Sequence, residues 1–284
     1  MVEIRHDALT GAVVAVNAKR QARPNRPDDD CPFCVGGLEA PEPYAVRAFV
    51  NRWPSFPDDR CEVVLYTPDH DATFWSLGVD GALAVVDLWA ERSAALGARS
   101  DVGYVLVFEN RGAEVGATIA HPHGQIYSYA DVPPNPLREL GSSTCALCAD
   151  DPGDRVVSES DGWRAWVPHA SAYPYGLVVA PTTHEPDLPS LTPTSRRAFA
   201  TVLADALHRL DALWDRPMPY MMWLHQRPYD GRAWPTAHVH AEIAVPQRAP
   251  GVMRFVAGSE LGSGLYVNPV VPETAAAELR GVRW

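Results

Sequence analysis

Short stretches of alternating apolar and polar residues and two longer stretches with helical spacing divide the chain into predicted elements. Alternation or a short apolar run predicts a strand, whereas apolar residues three and four apart predict one buried helix face. Strands are predicted at residues 9–17, 45–50, 62–66, 103–109, 163–167, 176–180, 220–224 and 238–245. Helices are predicted at 81–96 and at 194–214, the second with Thr194 as its N-cap. The recurring order of strands, helix and strand predicts an α+β fold of antiparallel sheets with helices packed on one face.

Cysteines and histidines recur along the chain at a constant offset. The recurring pairs are Cys31 and Cys145, Cys34 and Cys148, His70 and His184, and His121 and His238. The first three pairs are 114 residues apart and the last is 117 residues apart. A period shared by several residue types indicates a tandem duplication. We therefore expect two units, at 1–135 and 136–284, joined by a proline-containing link at about 130–144.

Composition narrows the class of protein. The chain has 284 residues, of which 46% are hydrophobic and 21% are charged, a balance typical of globular proteins. Its formal net charge of −11 argues against a nucleic-acid binder, which needs a basic face. The first residues have no signal-peptide pattern, and no apolar run reaches membrane-spanning length. These features predict a soluble, cytoplasmic protein without nucleic-acid or membrane partners, whose cysteines are thiols.

Two Cys-x-x-Cys pairs predict metal binding, because two thiolates at this spacing can bind one tetrahedral ion. With the histidines of the repeat they form two closed Cys₂His₂ sets, which are typical of structural zinc. The first set is Cys31, Cys34, His70 and His121, and the second is Cys145, Cys148, His184 and His238. We therefore expect two zinc ions per chain. The remaining cysteine, Cys61, is expected to be a small buried apolar residue.

The run His121-Pro122-His123-Gly124-Gln125 is the strongest candidate for chemistry. Two histidines two residues apart on an extended segment face the same side. The proline between them stiffens the segment, the glycine lets the backbone approach a ligand, and the glutamine adds a third polar group. Because imidazole suits nucleophilic and acid–base chemistry near neutral pH, the run predicts a reactive histidine beside one anchored by metal.

This run, with its lead-in Phe108-Glu109-Asn110-Arg111-Gly112 and Gly116, resembles the signature of the galactose-1-phosphate uridylyltransferases. That family is a branch of the histidine-triad superfamily built from two fused triad-like units, and the resemblance extends over nearly the whole chain. It implies an enzyme that moves a nucleoside monophosphate from a nucleotide sugar to its own histidine and then to a sugar 1-phosphate. In the named family, UDP-glucose and galactose 1-phosphate become UDP-galactose and glucose 1-phosphate.

The resemblance also implies roles for single residues. His123 matches the nucleophile, and Gln125 stands where triad hydrolases carry a third histidine, which favours transfer over hydrolysis. Nucleotide and phosphate binding is implied for Arg20, Arg23, Asn51, Asn110, Gly116 and Thr118. Sugar binding is implied for Arg254, Phe255 and Glu260. Because that last segment reaches into the partner subunit's site in relatives, the resemblance implies a homodimer.

A second ligand set competes for the second metal. Some members of the family use a carboxylate and three histidines, and this set binds zinc or iron. The matching residues here are Glu139, His225, His238 and His240. We favour the cysteine set, because thiolates paired with imidazole suit zinc best and the 114-residue offset supports it.

Departures from the family pattern leave the base and the sugar open. Arg52 stands where many relatives carry an acidic residue, and Ser259 replaces a tyrosine. The alternatives are an adenylyltransferase or phosphorylase acting on ADP-glucose, a nucleotide-sugar hydrolase of the same fold, and a non-catalytic zinc-dependent nucleotide-binding module. The intact motif around His123 favours an enzyme, because the second unit has Ala241 and Glu242 where the first has glycine and glutamine.

Overall fold

The structure is a computed structural model that describes residues 2–22 and 31–282. Its strands are β1 (Glu3–His6), β2 (Val13–Val16), β3 (Arg47–Val50), β4 (Cys61–Leu65), β5 (Tyr104–Arg111), β6 (His123–Tyr129), β7 (Val156–Ser160), β8 (Trp163–Trp166), β9 (Leu177–Pro181), β10 (Tyr220–His225), β11 (His240–Ala244), β12 (Gln247–Ala249) and β13 (Val252–Met253). Its α-helices are α1 (Gly78–Gly97), α2 (Pro134–Leu140), α3 (Ala146–Ala149), α4 (Pro193–Ala212), α5 (Gly258–Ser263) and α6 (Pro272–Gly281).

The described residues form one nine-stranded antiparallel sheet with the order β3-β4-β6-β5-β10-β11-β9-β8-β7. Strands β5 and β10 pair at its centre, with Tyr220 opposite Arg111 and Leu224 opposite Val107. The two halves of the chain therefore share one sheet, whereas the sequence predicted separate sheets. The pairing satisfies backbone groups that would otherwise form two open edges. The division into units at residues 135 and 136 stays a prediction.

Helices α1 and α4 pack against each other and cover one face of this sheet. Helix α1 buries Val86 and Trp89, and α4 buries Phe199, whose ring stacks on Trp163 of β8 at 4.5 Å. On β6 the even-numbered residues are buried, and Ile126 belongs to the same core as Trp89. The odd-numbered residues, including His123 and Gln125, therefore lie on the opposite face. The α+β prediction with helices on one face is confirmed.

Several predicted boundaries were wrong. Helix α4 begins at Pro193, and its N-cap is Thr192, whose hydroxyl accepts a hydrogen bond from the Ser195 amide at 3.1 Å. The predicted cap, Thr194, lies inside the first turn, because proline at the first helical position fixes an earlier start. The predicted strand 9–17 is only β2, paired with the unpredicted β1. The predicted link at 130–144 contains α2.

Strands β6 and β11 both begin at the second histidine of their His-x-His runs, so His121 and His238 precede the strands. Cys61 is fully buried, as predicted. Among the helices that the structure describes, none is long and apolar enough to cross a membrane.

Candidate functional site

The first predicted metal set is assembled at one end of β6. The ligand atoms of Cys31, Cys34, His70 and His121 all lie within 4.8 Å of one another. The sulfur of Cys34 is 3.5 Å from Nδ1 of His70 and 3.6 Å from Nδ1 of His121. Three separate parts of the chain supply these ligands, namely the loop before β3, the loop after β4 and the loop before β6. The donor set fits a tetrahedral zinc ion.

The ring of His121 is oriented for metal binding by its other nitrogen. Its Nε2 donates to the backbone oxygen of Thr67 at 2.8 Å and lies 3.0 Å from the hydroxyl of Tyr44. A carbonyl can only accept, so the proton is on Nε2 and Nδ1 keeps its lone pair towards the cysteines. Burial, together with the nearby His70, lowers the pKa of His121 and favours the neutral ligand form.

The second Cys₂His₂ set repeats this geometry. Nδ1 of His238 is 3.3 Å from the sulfur of Cys145 and 3.5 Å from that of Cys148, and Nδ1 of His184 is 3.3 Å from Cys148. Nε2 of His238 donates to the backbone oxygen of Pro181 at 3.1 Å. Burial, with His184 nearby, lowers the pKa of His238 to about 4. The Cys₂His₂ set and its supporting hydrogen bond are therefore duplicated.

The alternative ligands of the second metal form a separate group. Glu139, His225, His240 and Glu242 place one ligand atom each within 4.8 Å of the others, and His238 is absent from this group. Nδ1 of His225 is 2.8 Å from a carboxylate oxygen of Glu139 and 3.4 Å from one of Glu242. The indole of Trp223 donates to Glu242 at 2.9 Å. Sequence reasoning assigned His238 to this group and missed Glu242.

His123 has the geometry of a nucleophile. Its Nδ1 lies 2.8 Å from the backbone oxygen of His121, so Nδ1 carries the proton and the lone pair of the neutral ring is on Nε2. The edge of the Phe33 ring packs on the imidazole at a centroid distance of 5.0 Å. Because Phe33 lies between Cys31 and Cys34, the first metal loop fixes one side of the reactive ring.

Neutral amides and phenols surround the reactive segment. Asn51 donates from Nδ2 to Oε1 of Gln125 at 3.3 Å, and the hydroxyl of Tyr127 donates to the same oxygen at 3.3 Å. With its oxygen occupied, the amide of Gln125 presents its N–H groups as donors. Asn110 follows Phe108, the β5 partner of Gln125, by two residues and so lies on the same face. These groups can bind phosphoryl oxygens without carrying charge.

A cavity of about 560 Å³ lies beside His123 and is lined by Asn110, Gly112, Thr118 and His121. The β5–β6 connection bends through Gly112 and Gly116, whose φ angles are +98° and +82°. These conformations favour glycine, so the loop can turn back over the cavity. The structure thus brings Asn110 and Thr118 to His123, as the resemblance implied.

Gly124 packs against a buried phenol of the same protein. A Cβ at this position would lie 2.2 Å from the hydroxyl of Tyr66 and 3.2 Å from the backbone oxygen of Phe108. The missing side chain therefore makes room for a buried phenol of the same protein, on the helix-covered face of the sheet. The expected approach of a ligand to the backbone at this glycine stays a prediction. Sequence reasoning missed Tyr66 because it belongs to no motif.

The predicted arginines are only partly described. Arg20 donates to the hydroxyl of Ser55, which is 2.9 Å from the hydroxyl of Tyr127 and so links Arg20 to the open face. Arg23 lies outside the described residues.

The predicted sugar-binding segment is built around its own ion pair. Arg254 pairs with Glu260, and its guanidinium lies 5.4 Å from the ring centre of Tyr173 and 5.8 Å from that of Tyr266. Phe255 is 74% exposed. The cavity beside His123 is lined by residues of the first half and by Pro217, without these three residues. Their sugar-binding role stays a prediction.

Each half of the chain matches a known protein-family model. Residues 54–133 match the family model for the N-terminal domain of galactose-1-phosphate uridyl transferase, and residues 146–283 match the model for its C-terminal domain. The chain belongs to the galactose-1-phosphate uridylyltransferase family. A galactose-1-phosphate uridylyltransferase from Thermotoga maritima is 34% identical to it, over 99% of this chain and 98% of the relative.

Solved structures give the same result. A uridylyltransferase structure has a TM-score of 0.87 and 29% identity, covering 99% of this chain and 97% of that chain. The crystal structure of an ADP-glucose phosphorylase from Arabidopsis thaliana with bound ADP-glucose has a TM-score of 0.80 at 23% identity, with complete coverage of both chains, and shows that its fold is shared.

Proposed function

We propose that this chain exchanges a nucleoside monophosphate between a nucleotide sugar and a sugar 1-phosphate through a covalent nucleotidyl-histidine. The exchange we assign is UDP-glucose and galactose 1-phosphate to UDP-galactose and glucose 1-phosphate. The observation that carries the proposal is the His123 ring, whose Nδ1 donates to the His121 carbonyl, so that the lone pair lies on Nε2, the atom to which we assign the attack. The relatives named as galactose-1-phosphate uridylyltransferases support the choice of substrates.

The two steps use the same atoms in opposite directions. Nε2 of His123 attacks the α-phosphorus, a P–N bond forms, and the bond to the β-phosphate oxygen breaks, releasing a sugar 1-phosphate. A phosphate oxygen of the second sugar 1-phosphate then attacks the same phosphorus, and the P–N bond breaks. The N–H groups of Gln125 and Asn110 donate to phosphoryl oxygens as charge builds on them. Neither amide can take a proton from water, so transfer is favoured over hydrolysis.

We propose zinc at both Cys₂His₂ sets. The support is the donor chemistry, with two thiolates and two imidazoles in each set and one histidine of each held by a backbone carbonyl. Zinc there has no open position, so it stabilises the fold and fixes the residue two before His123 and His240. His238 is engaged with Cys145 and Cys148, and this favours the cysteine set over Glu139, His225 and His240 as the second zinc site.

We also propose a homodimer in the cytoplasm. The segment after β13 exposes large apolar side chains, including Phe255 and Leu261 at 74% and Leu265 at 67%. Apolar surface of this kind is typical of an interface. The cysteine thiolates that the zinc sites need suit a reducing compartment. Light scattering of the purified protein tests the dimer, with a monomer mass at micromolar concentration as the contradicting result.

The base and the sugar are tested together by intact-mass measurement. The protein is incubated separately with UDP-glucose, UDP-galactose and ADP-glucose without an acceptor, and His123→Gly is the matched control. We expect a uridylyl adduct on the unsubstituted chain and none on the variant. An adenylyl adduct from ADP-glucose alone would instead assign the activity named for the Arabidopsis relative, an ADP-glucose phosphorylase, which is 24% identical over 99% of this chain. Free nucleoside monophosphate without any adduct would indicate a hydrolase.

A further inference from the structure

A buried carboxylate lies directly behind the reactive strand. Glu109 of β5 is 4% exposed, on the helix-covered face of the sheet, and its two oxygens accept hydrogen bonds from two buried phenols. The hydroxyl of Tyr66 donates to Oε2 at 3.0 Å, and the hydroxyl of Tyr220 donates to Oε1 at 2.7 Å. Tyr66 follows β4 and Tyr220 begins β10, so the three residues, which we call the Glu109 network, join strands from both halves of the chain.

The charged groups next to the network are fixed. Arg111 lies two residues after Glu109, with its guanidinium 5.7 Å from the ring centre of Tyr220. Arg111 donates to both oxygens of Asp211 of α4, at 2.7 and 2.9 Å. Asp211 also accepts from the indole of Trp75 at 2.8 Å. The arginine charge is therefore matched by Asp211, and both Glu109 and Arg111 lie in the lining of the cavity beside His123.

Tyr66 connects the Glu109 network to the segment 121–125 through two contacts. Its backbone N–H donates to the oxygen of Pro122 at 3.3 Å, between the two histidines of the motif. Its hydroxyl occupies the place where a side chain on Gly124 would begin, 2.2 Å from the ideal Cβ. One residue therefore touches the backbone on both sides of His123. A shift of Tyr66 moves the segment that carries the nucleophile.

We propose that Glu109 is a positioning residue for His123. It holds the Tyr66 hydroxyl against Gly124 and thereby fixes the position of β6, the strand that carries His123, relative to the helix-covered face of the sheet. The kinetic part of this inference rests on the proposed function, because kcat is measured for the proposed exchange. Glu109 also lines the cavity beside His123, where both of its oxygens accept from the phenols, and Tyr66 and Tyr220 are not among the residues that line this cavity. The effect of the Glu109 network is on the position of Nε2 of His123, and small displacements of a reacting atom have large effects on rate.

The geometry also predicts a pH dependence. Burial raises the pKa of Glu109 to about 7, against the hydrogen bonds from Tyr220 and Tyr66 and the charge of Arg111, while Asp211 raises it further. The carboxylate accepts from both phenols, whereas the protonated acid donates from one oxygen, so the phenol at that oxygen has to accept and to turn its own O–H elsewhere. We therefore expect kcat to rise as the pH rises through about 7. The contribution of Glu109 to folding stability has the opposite sign, because an acid with a raised pKa in the folded state loses stability as the pH rises from its unfolded value of 4.5.

The test is a double-mutant cycle between Tyr66 and Gly124, with Tyr104→Phe as the matched control. Tyr104 is another fully buried tyrosine of β5, and its hydroxyl accepts from the Gln226 amide at 3.2 Å, away from Gly124. We expect Tyr66→Phe to lower kcat by about 10- to 100-fold with KM within about twofold. Gly124→Ala is expected to be worse, and Tyr66→Phe/Gly124→Ala to be more active than Gly124→Ala alone, because removal of the hydroxyl frees space for the new methyl group. Glu109→Gln is expected to abolish the rise of kcat near pH 7.

A purely structural role predicts different results. Tyr66→Phe would then lower only the melting temperature, as Tyr104→Phe does, and the effects of Tyr66→Phe and Gly124→Ala on kcat would multiply; either outcome overturns the proposal. Hydrogen exchange of the backbone amides in 121–125 gives a readout that needs no activity. We expect faster exchange there in Tyr66→Phe and not in Tyr104→Phe, and equal exchange contradicts the proposal. Absence of any nucleotidyl adduct on the unsubstituted chain would instead contradict the proposed function, and the exchange result would still test the network.

Discussion

The segments 121–125 and 238–242 have the same backbone arrangement and different chemical surroundings. In each, the first histidine faces a cysteine pair and the second donates from Nδ1 to the first one's carbonyl at 2.8 Å. Around His123 the neighbours are the amides of Asn51 and Gln125, whereas Nε2 of His240 lies 3.7 Å from Glu139 and 3.8 Å from Glu242. An anionic phosphate is attracted by amide donors and repelled by carboxylates.

This difference in surroundings is the reason why we expect one nucleophile per chain, His123. Burial alone would lower the pKa of His240, but its hydrogen bond to Glu242 and the charge of Glu139 outweigh burial and raise it. The second unit also replaces the glycine that admits Tyr66 with Ala241. Both halves keep a Cys₂His₂ set, but they differ in the groups that surround the second histidine.

The largest expected effect separates the two histidines. His123→Gly should lower exchange by at least about 1,000-fold, because the covalent route is lost. The glycine leaves a cavity on the open face, and added imidazole should restore the first half-reaction. His240→Ala should retain exchange at a rate measurable in the same assay, provided that its melting temperature shows a folded protein. Equal losses in the two variants would contradict the assignment of one nucleophile per chain.

Removal of one cysteine from each metal set should distinguish their roles. Cys31→Ser and Cys145→Ser should each lower the zinc content from about two ions per chain to about one and lower the melting temperature, since metal binding contributes to folding. Only Cys31→Ser should also abolish adduct formation, because the zinc proposed at this set would hold His121 and the Phe33 ring beside His123. Elemental analysis, calorimetry and intact mass provide the three readouts. A third metal equivalent, retained in Cys145→Ser, would assign an ion to the group of Glu139, His225, His240 and Glu242.

Exchanging the polar neighbours tests the electrostatic part of the comparison. Gln125→Glu should lower kcat by about 100-fold, because it places a carboxylate beside the phosphoryl group and removes a donor. Glu242→Gln keeps an acceptor for the Trp223 indole and should leave kcat within about threefold of its starting value. Steady-state kinetics on both variants provides the measurement. A comparable loss in Glu242→Gln would mean that the second segment takes part in the reaction.

The smallest expected effect is on the free energy of unfolding, and it depends on how the two long helices begin. Helix α4 is capped by the Thr192 hydroxyl, whereas α1 begins after Leu77 without a side-chain cap. Thr192→Ala should lower the free energy of unfolding by about 1 kcal/mol, measured by urea denaturation. Thr194→Ala, two residues further on and exposed, is the control and should change it by less than about 0.5 kcal/mol. A larger loss of stability in Thr194→Ala than in Thr192→Ala would instead support Thr194, the N-cap predicted from the sequence.

The parts of the molecule that follow from local sequence were predictable. The Cys-x-x-Cys spacing and the constant offset identified both metal sets, and helical periodicity identified α1 and α4. These signals are local because each depends on residues close in sequence or on a repeated spacing. The segment 121–125 was singled out for the same reason, and its reactivity stays a prediction.

Long-range packing was not predictable from these signals. Whether β5 pairs with β10 depends on two strand edges more than 100 residues apart in sequence. The place of Tyr66 behind Gly124 depends on strand register and appears in no motif. Glu242 joins His225 and Glu139 only because β10 and β11 pair in register, with Trp223 opposite Glu242. A one-residue shift would have placed each of these side chains on the other face of the sheet.

The central claim is that one of two matching histidines carries the nucleotidyl group. The most direct measurement is peptide mapping by mass spectrometry after the protein is incubated with UDP-glucose, quenched at alkaline pH and digested. We expect the uridylyl group on the peptide that contains His123 and on no other histidine. A uridylyl group on His240, or a modified peptide without His123, would contradict the account.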